Sequence, residues 1–461
     1  MRIIDAKIAG VLGLVLSMML PAGGSWAQDV AFPGAEGYGA GATAWRGGAM
    51  IAVTTLEDRG PGSLRDCVER DGPRICIFQV AGTIHLREPL MVRSDVYVAG
   101  QTAPGGGIQL RNDESTHAPM IVADADDVVL RFLKLRPGPS KRKSSTIDAL
   151  TIENAQRVYL GNLSLMFASD ETFSVHVSRS KASDITLADS ILAYSLDRSN
   201  HPDGRHSKGA LICSDEGEPA ENECGRISLL RNLFAHHRDR NPDVKATSLG
   251  PVEVVNNIFY DPISQFGEFY DLLGDARIAY VGNLALTGPS TNDRAGAAVE
   301  LIDRTSGNEV TVWAHGNAAG DCVGDAQLPI LDPIAESLQS DDPIDLTMTP
   351  MPVNDLLALL PKNVGDAMPD RRHRDELDKK VLKGLANCEG RVINHPQDIG
   401  GWPEIAPATA PDDSDGDMLP DEWEAGRDGL DPDQPDDPWQ DADGDGLSAV
   451  ETWLAELAGD I

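Results

Sequence analysis

Short apolar runs rich in β-branched residues recur along the chain. They are Val96-Tyr97-Val98, Val128-Val129-Leu130-Arg131-Phe132, Val158-Tyr159-Leu160, Ile185-Thr186-Leu187, Ile227-Ser228-Leu229-Leu230, Val252-Glu253-Val254-Val255 and Ile278-Ala279-Tyr280-Val281. The last five begin 27, 42, 25 and 26 residues apart. Each of these starts is followed four or five residues later by a polar side chain: Asn162, Asp189, Asn232, Asn257 or Asn283. Such residues suit a pleated, half-buried surface, and repeats of this period without intervening helices mean stacked coils. The pattern predicts an all-β fold, a right-handed parallel β-helix, with one strand set per coil and like side chains stacked in ladders. A β-sandwich would need alternating patterning and hairpin turns, and the chain shows neither. The 42-residue interval marks a coil with an inserted loop, Ser195 to Gly225, and long loops on a rigid scaffold are where function concentrates.

The pattern changes toward the C-terminus. Residues 354–387 read as helix, with Leu356, Leu357, Leu359 and Leu360 early and Leu377, Val381 and Leu385 later. They are expected to cover the solenoid within one domain, 28–405. Ala406 to Asp412 is a Pro/Ala-rich linker, and 413–461 reads as a small acidic module whose removal after Pro411 should leave activity in place. At the other end, Arg2 and Lys7 flank the start of an apolar run, Ile8 to Leu20, followed by Pro21 and the small-x-small site Ser25-Trp26-Ala27. This predicts a signal peptide over 1–27, a mature chain from Gln28 and secretion to an extracellular or periplasmic compartment. The run is short for a bilayer span and no later run is long enough, so no membrane partner is expected.

Charge and cysteines narrow the picture. The chain carries 39 basic and 73 acidic residues, a net −34, which argues against nucleic acid as a partner. From Thr409 to Ile461 there are 18 Asp and Glu against one Arg, half of the net charge. A negative body attracts an acidic substrate only through a local basic patch or bridging cations. The six cysteines are expected to be bridged in an oxidising compartment. Local spacing favours Cys67–Cys76 and Cys213–Cys224, leaving Cys322–Cys388, one of fifteen pairings open to six cysteines. Without CxxC or a Cys/His cluster, zinc is not expected.

The tail has two runs with calcium-loop spacing. Asp413-Ser414-Asp415-Gly416-Asp417 with Asp421 and Glu424 puts acids at loop positions 1, 3, 5, 9 and 12. Asp441-Ala442-Asp443-Gly444-Asp445-Gly446 runs on to Glu451 at position 11 and Thr452 at 12. Hard oxygens at alternating positions let one loop wrap one Ca²⁺. Met418, where an EF-hand has Gly, makes the runs look like thrombospondin type 3 or dockerin loops, with a structural ion.

Candidate chemistry lies in the solenoid. Asp148 precedes the Val158 strand and Asp170-Glu171 follow it, so neighbouring coils could join them around a cation. Arg240-Asn241-Pro242-Asp243-Val244-Lys245 and Lys208 supply positive charge. Elimination from a uronan needs the substrate carboxylate neutralised, the C5 proton removed and the leaving oxygen assisted. Ca²⁺ on Asp148, Asp170 and Glu171 would supply the first as a Lewis acid. Arginine normally stays protonated, so Arg240 either removes the proton or orients the carboxylate and stabilises the enolate. His206, His236 and His237 are alternative bases. A polygalacturonase-type hydrolase would need clustered Asp at hydrolase spacing. A non-catalytic carbohydrate-binding β-helix would not need Arg240, Lys208 and Lys245 together.

Phe32-Pro33-Gly34-Ala35-Glu36-Gly37-Tyr38-Gly39-Ala40 resembles the opening motif of polysaccharide lyase family 1, the pectate lyase type. Gly60-Pro61-Gly62-Ser63-Leu64-Arg65, Ala99-Gly100-Gln101-Thr102-Ala103-Pro104-Gly105, Arg374-Asp375 before Asp378, and Ile399-Gly400-Gly401-Trp402-Pro403 resemble further motifs of that family. The resemblance spans nearly all of the chain between the signal segment and the linker. It implies a calcium-dependent pectate lyase that cleaves polygalacturonate to 4,5-unsaturated products; a monomer is expected. It implies Arg240 as the catalytic arginine, Lys208 and Lys245 as substrate-binding cations, and Asp148 and Asp170 as calcium ligands with Glu171 beside them. The family usually has Asp-His before the Leu163-Ser164-Leu165 stretch and a Trp before the Asp-Glu pair. This chain has Gly161-Asn162 and Phe167-Ala168-Ser169, departures that bear on subsite preference and calcium affinity.

Overall fold

The computed structural model describes residues 29–214, 221–302, 306–324, 326–441 and 443–461; the expected signal peptide and Gln28 lie outside them. The chain winds into three sheets of ten, eight and nine strands whose neighbours run parallel. One coil takes a strand from each sheet, as in Gln156–Gly161, Ser164–Met166 and Glu171–His176, before the next coil starts at Lys181. This is the expected parallel β-helix. All seven runs singled out in the sequence lie in the ten-stranded sheet. The other two sheets carry shorter strands, whose apolar residues are too few to make a pattern of their own.

The polar ladder differs from its expected membership. Ser190, Asn232, Asn257, Asn283 and Asn317 stack at one corner. The Asn257, Asn283 and Asn317 side-chain carbonyls each accept from the backbone N–H of the asparagine one coil earlier, at 2.8–2.9 Å. Their amide nitrogens donate to Leu229, Val254 and Tyr280 carbonyls at 2.7–2.8 Å, so the corner buries no orphaned backbone group there. Asn162 and Asp189 sit one residue earlier, in the left-handed conformation (φ 55° and 51°), which short polar side chains tolerate. An offset of five residues marks the ladder, and an offset of four marks the bend before it. The inserted loop is also shorter than expected, because Lys208–Ile212 within it is a regular strand of the eight-stranded sheet.

Three disulfides join Cys67–Cys76, Cys213–Cys224 and Cys322–Cys388, the preferred pairing. Outside the nine-stranded sheet, helices Leu356–Asn363 and Glu376–Asn387 bury Leu356, Leu360, Leu377, Val381 and Leu385 against Ile191, Leu233 and Ile258. Arg136, fully buried, pairs with both Asp375 and Asp378. A buried charge is tolerated only when paired, which gives the Asp375–Asp378 motif its structural reason. Trp402 donates from Nε1 to the Arg136 carbonyl at 2.8 Å and lies against Gly138, where a Cβ would come within 2.3 Å of the indole.

The opening motif crosses the outer face of the ten-stranded sheet. Tyr38 and Gly39 donate backbone N–H groups to Ser228 and Thr186 at 2.9 Å. A Cβ at Gly39 would lie 2.2 Å from the Val158 carbonyl oxygen, so only glycine fits. The acidic tail covers the same face: Leu419, Val450, Trp453 and Leu454 share one apolar cluster with Trp45, Tyr97, Val129 and Tyr159. Arg131 pairs with Asp460 at 2.6 Å, and Trp439 donates to the Gly48 carbonyl at 2.9 Å. The tail thus packs an apolar face onto the outside of the ten-stranded sheet. Removing residues after Pro411 is therefore expected to lower the thermal midpoint by several degrees and raise apolar-dye binding, since an aromatic face is exposed. An unchanged midpoint would show that this face contributes nothing to stability.

Candidate active site

The site forms where turns from the nine-stranded sheet enter the eight-stranded one. Asp148 precedes strand Leu150–Glu153, and Asp170-Glu171 open the neighbouring strand Glu171–His176. Stacking of adjacent coils brings one oxygen from each of Asp148, Asp170 and Glu171 within 4.8 Å of one another. All three are buried. Asp148 accepts from Thr151 Oγ1 at 2.8 Å, from Ser174 Oγ and from the Glu171 N–H at 3.3 Å. Burial, with Glu171 alongside, raises its pKa to about 6. Burial and the same neighbouring carboxylates raise Asp170 to about 10. Burial alone would raise Glu171 too, but Arg240 holds it below the ordinary range. The three crowded carboxylates fit a hard cation such as Ca²⁺; Asp170 also belongs to a second group with His201 and His206, whose ligand atoms lie within 4.8 Å of one another.

One and two coils on lie the cations. Lys208 is in register with Glu171 and pairs with Asp239 at 2.5 Å. Arg240 sits at φ 58°, just before the cis Asn241-Pro242 bond. Its carbonyl accepts from the Ala210 N–H at 2.7 Å. Its guanidinium pairs with Glu171 and lies 3.5 Å from Asp243. Burial would lower its pKa, but Glu171, Asp243, Asp239 and Glu268 outweigh burial and push it above its usual value. Lys245 lies 3.6 Å from Asp243 and 5.1 Å from the Tyr270 ring centre. Arg240, Lys208 and Lys245 thus line one strip beside the acid cluster.

The alternative bases separate. His236 pairs with Asp261 at 2.7 Å, and His237 is held by Ser195 Oγ at 2.6 Å and the Leu192 carbonyl at 3.0 Å. Both rings are buried in the interior or under the cover, so neither reaches the acid cluster. His206 does: its Nε2 is 2.7 Å from Asp170, and burial with Lys208 nearby lowers its pKa to about 3. His201 stacks on it at 3.5 Å and also approaches Asp170, at 3.7 Å. The sequence reading did not include His201, Asp239, Asp243, Glu268 or Tyr270. Asp243 lay inside the quoted Arg240–Lys245 run and His201 inside the long loop, but nothing local distinguished them.

A search of curated proteins finds relatives along the whole chain. It is 31% identical over 440 residues to a probable pectate lyase C of Aspergillus flavus, covering 93% of this chain and 94% of that protein. It is likewise 31% identical over 452 residues to a probable pectate lyase C of Emericella nidulans, covering 96% of each. The chain belongs to the pectate lyase family. It is an enzyme, a polysaccharide lyase. No family model matches the chain. Among solved structures, the lyase shares its fold with the major cedar pollen allergen Jun a 1, at TM-score 0.55 and 18% identity, covering 72% of this chain and 92% of that one. A thermostable pectate lyase matches at TM-score 0.51 and 14% identity, covering 72% and 96%. The departures at 167–169 are absorbed by packing: Phe167 meets Trp402 edge-on at 5.4 Å.

In the tail of the lyase, Asp413, Asp415 and Asp417 converge, as do Asp441, Asp443 and Asp445. Two expected loop ligands are engaged elsewhere. Asp421 accepts from the Ser414 N–H and Oγ at 2.7 and 2.6 Å. Glu451 closes a capping box with Ser448 and pairs with Arg46 at 2.5 Å. In both cases a nearby hydrogen-bond donor or cation takes the carboxylate. Glu424 instead meets Asp417 and a residue the sequence reading missed, Asp436.

Proposed function

We propose that this lyase cleaves polygalacturonate by calcium-dependent β-elimination, releasing 4,5-unsaturated oligogalacturonates outside the cytoplasm as a monomer. The observation that carries the reading is the buried Asp148, Asp170 and Glu171 cluster with Arg240 paired to its edge. Asp148, Asp170 and Glu171 would hold the Ca²⁺, which when bound supplies Lewis acidity toward a uronate carboxylate. Lys208 and Lys245 offset local negative charge and grip further carboxylates along the strip. Arg240, whose acidic neighbours favour its charged form in the free protein, either takes the C5 proton or presents a planar donor fork to the carboxylate or enolate. Hydrolysis is less well supported. Hydrolases hold two carboxyl groups about 5–9.5 Å apart on either side of the scissile bond, whereas Asp148, Asp170 and Glu171 bring oxygens within 4.8 Å of one another. Among the described residues no helix is long and apolar enough to cross a membrane.

The test is ultraviolet absorbance of the unsaturated product from polygalacturonate, with and without chelator. Absorbance that grows with calcium and stops in chelator supports the reading. New reducing ends without absorbance would indicate a hydrolase, and neither signal would indicate a binder.

A further inference from the structure

The tail carries a second, differently built acidic cluster. Glu424 is fully buried, and neither of its carboxylate oxygens has a hydrogen-bond partner. Asp415 Oδ2 is likewise buried and unpartnered. One oxygen of Glu424 lies within 4.8 Å of oxygens of both Asp417 and Asp436, and Asp417 also belongs to the Asp413, Asp415 and Asp417 group. Asp417 is therefore the hinge between two sets of carboxylates. A carboxylate buried without donors is costly. The tail's one basic residue, Arg427, pairs with Glu456 and stacks on Trp423 at 3.8 Å, so it does not balance the cluster.

The second loop is a control within the same chain. Asp441, Asp443 and Asp445 repeat the first loop 28 residues on, with matching backbone turns. They are exposed, and Thr452 stands where Glu424 would be. Among the described residues no buried orphan faces them, so the second loop is not assigned a site.

We propose that Asp413, Asp415, Asp417, Glu424 and Asp436 form a structural Ca²⁺ site that clamps the tail onto the ten-stranded sheet. Five carboxylates from three stretches of chain can give the six to eight oxygens Ca²⁺ prefers, some of them bidentate. The stretches bracket Leu419, fully buried in the shared apolar cluster, and lead into Trp439, which is bonded to Gly48. Binding there fixes the side chains that dock the tail. Without the ion, mutual repulsion loosens them. The site stands apart from the lyase cluster and does not depend on its reading.

The test uses the full-length protein, calcium alone as ligand, titration calorimetry for stoichiometry and scanning calorimetry for the thermal midpoint. Wild type is compared with Glu424→Gln, Asp436→Asn and Asp170→Ala. Glu424→Gln and Asp436→Asn are expected to bind one ion fewer than wild type. They should also lose a calcium-dependent rise in midpoint of roughly 3–5 °C at hundredfold excess over Kd, and retain turnover. Asp170→Ala is expected to keep that rise. Wild-type stoichiometry in both tail variants would overturn the proposal, as would a midpoint in wild type that ignores calcium. If Glu424→Gln fails to fold, the partly exposed Asp436 carries the test alone. Loss of the rise in Asp170→Ala but not in the tail variants would assign the stabilising ion to the lyase cluster and sink the clamp.

Discussion

Asp170→Ala is expected to lower turnover at ordinary calcium by at least about a thousandfold, equivalent to ~4 kcal/mol of transition-state stabilisation. Asp170 sits between Asp148 and Glu171 on one side and the His201–His206 stack on the other. Its removal leaves two carboxylates, one of which is already shared with Arg240. Calcium affinity should fall steeply, and excess calcium should restore part of the rate, because Asp148 and Glu171 remain. The fold should survive. Burial and neighbouring carboxylates hold Asp170 in its protonated form in the ion-free protein, so losing it removes a crowded group rather than a stabilising ion pair. The midpoint measured in chelator is accordingly expected not to fall. Wild-type enzyme that keeps full turnover in chelator would take the cation out of the chemistry.

Arg240→Lys is expected to lower kcat at least about a hundredfold, the usual scale for one positioned acid–base group, with a much smaller change in KM. The guanidinium meets Glu171 through Nη1 while its Nε lies 3.5 Å from Asp243, and a single ammonium cannot hold both directions. The charge is kept, so a role limited to neutralising substrate would survive the change. Removing the C5 proton or holding the enolate in fixed geometry would not. Lys208 and Lys245 still engage carboxylates, which is why binding should be spared. Near-normal kcat with raised KM would exclude Arg240 from the chemistry and direct attention to His206, the remaining histidine of the original three at the site.

Much of the site was legible as residue types and order. Asp148, Asp170-Glu171, Lys208 and the Arg240–Lys245 run could be picked out as acids and cations in chain order, and the family resemblance gave them roles; the inserted loop, which sets Glu171 and Lys208 37 positions apart yet in register, hid the pairing. His236 and His237 misled for the same reason that they are conspicuous. Adjacent histidines look like chemistry, yet one is spent on Asp261 and the other on Ser195 and Leu192. Asp421 and Glu451 fit loop spacing but are captured by Ser414 and Arg46, contacts that spacing does not encode.

Local pattern carried the period of the coils, seven of the ten strands of the longest sheet, a preference for the cysteine pairing that the disulfides follow, and the supply of acids and cations. These follow from local pattern: β-branched runs, turn residues and cysteine spacing act over a few neighbours or one coil. Which residues form the ladder was settled by the winding of the coils, since an offset of one separates a stacked asparagine from a left-handed bend. Tertiary contacts alone tied Arg240 to Glu171, buried Arg136 between Asp375 and Asp378, and laid the tail across the sheet, where it shares apolar residues with positions some 350 earlier. Such contacts depend on surfaces that exist only once the solenoid is wound. Asp436 shows the limit plainly. It lies outside any loop motif and is one acid among many in the tail, until folding sets it against a buried Glu424.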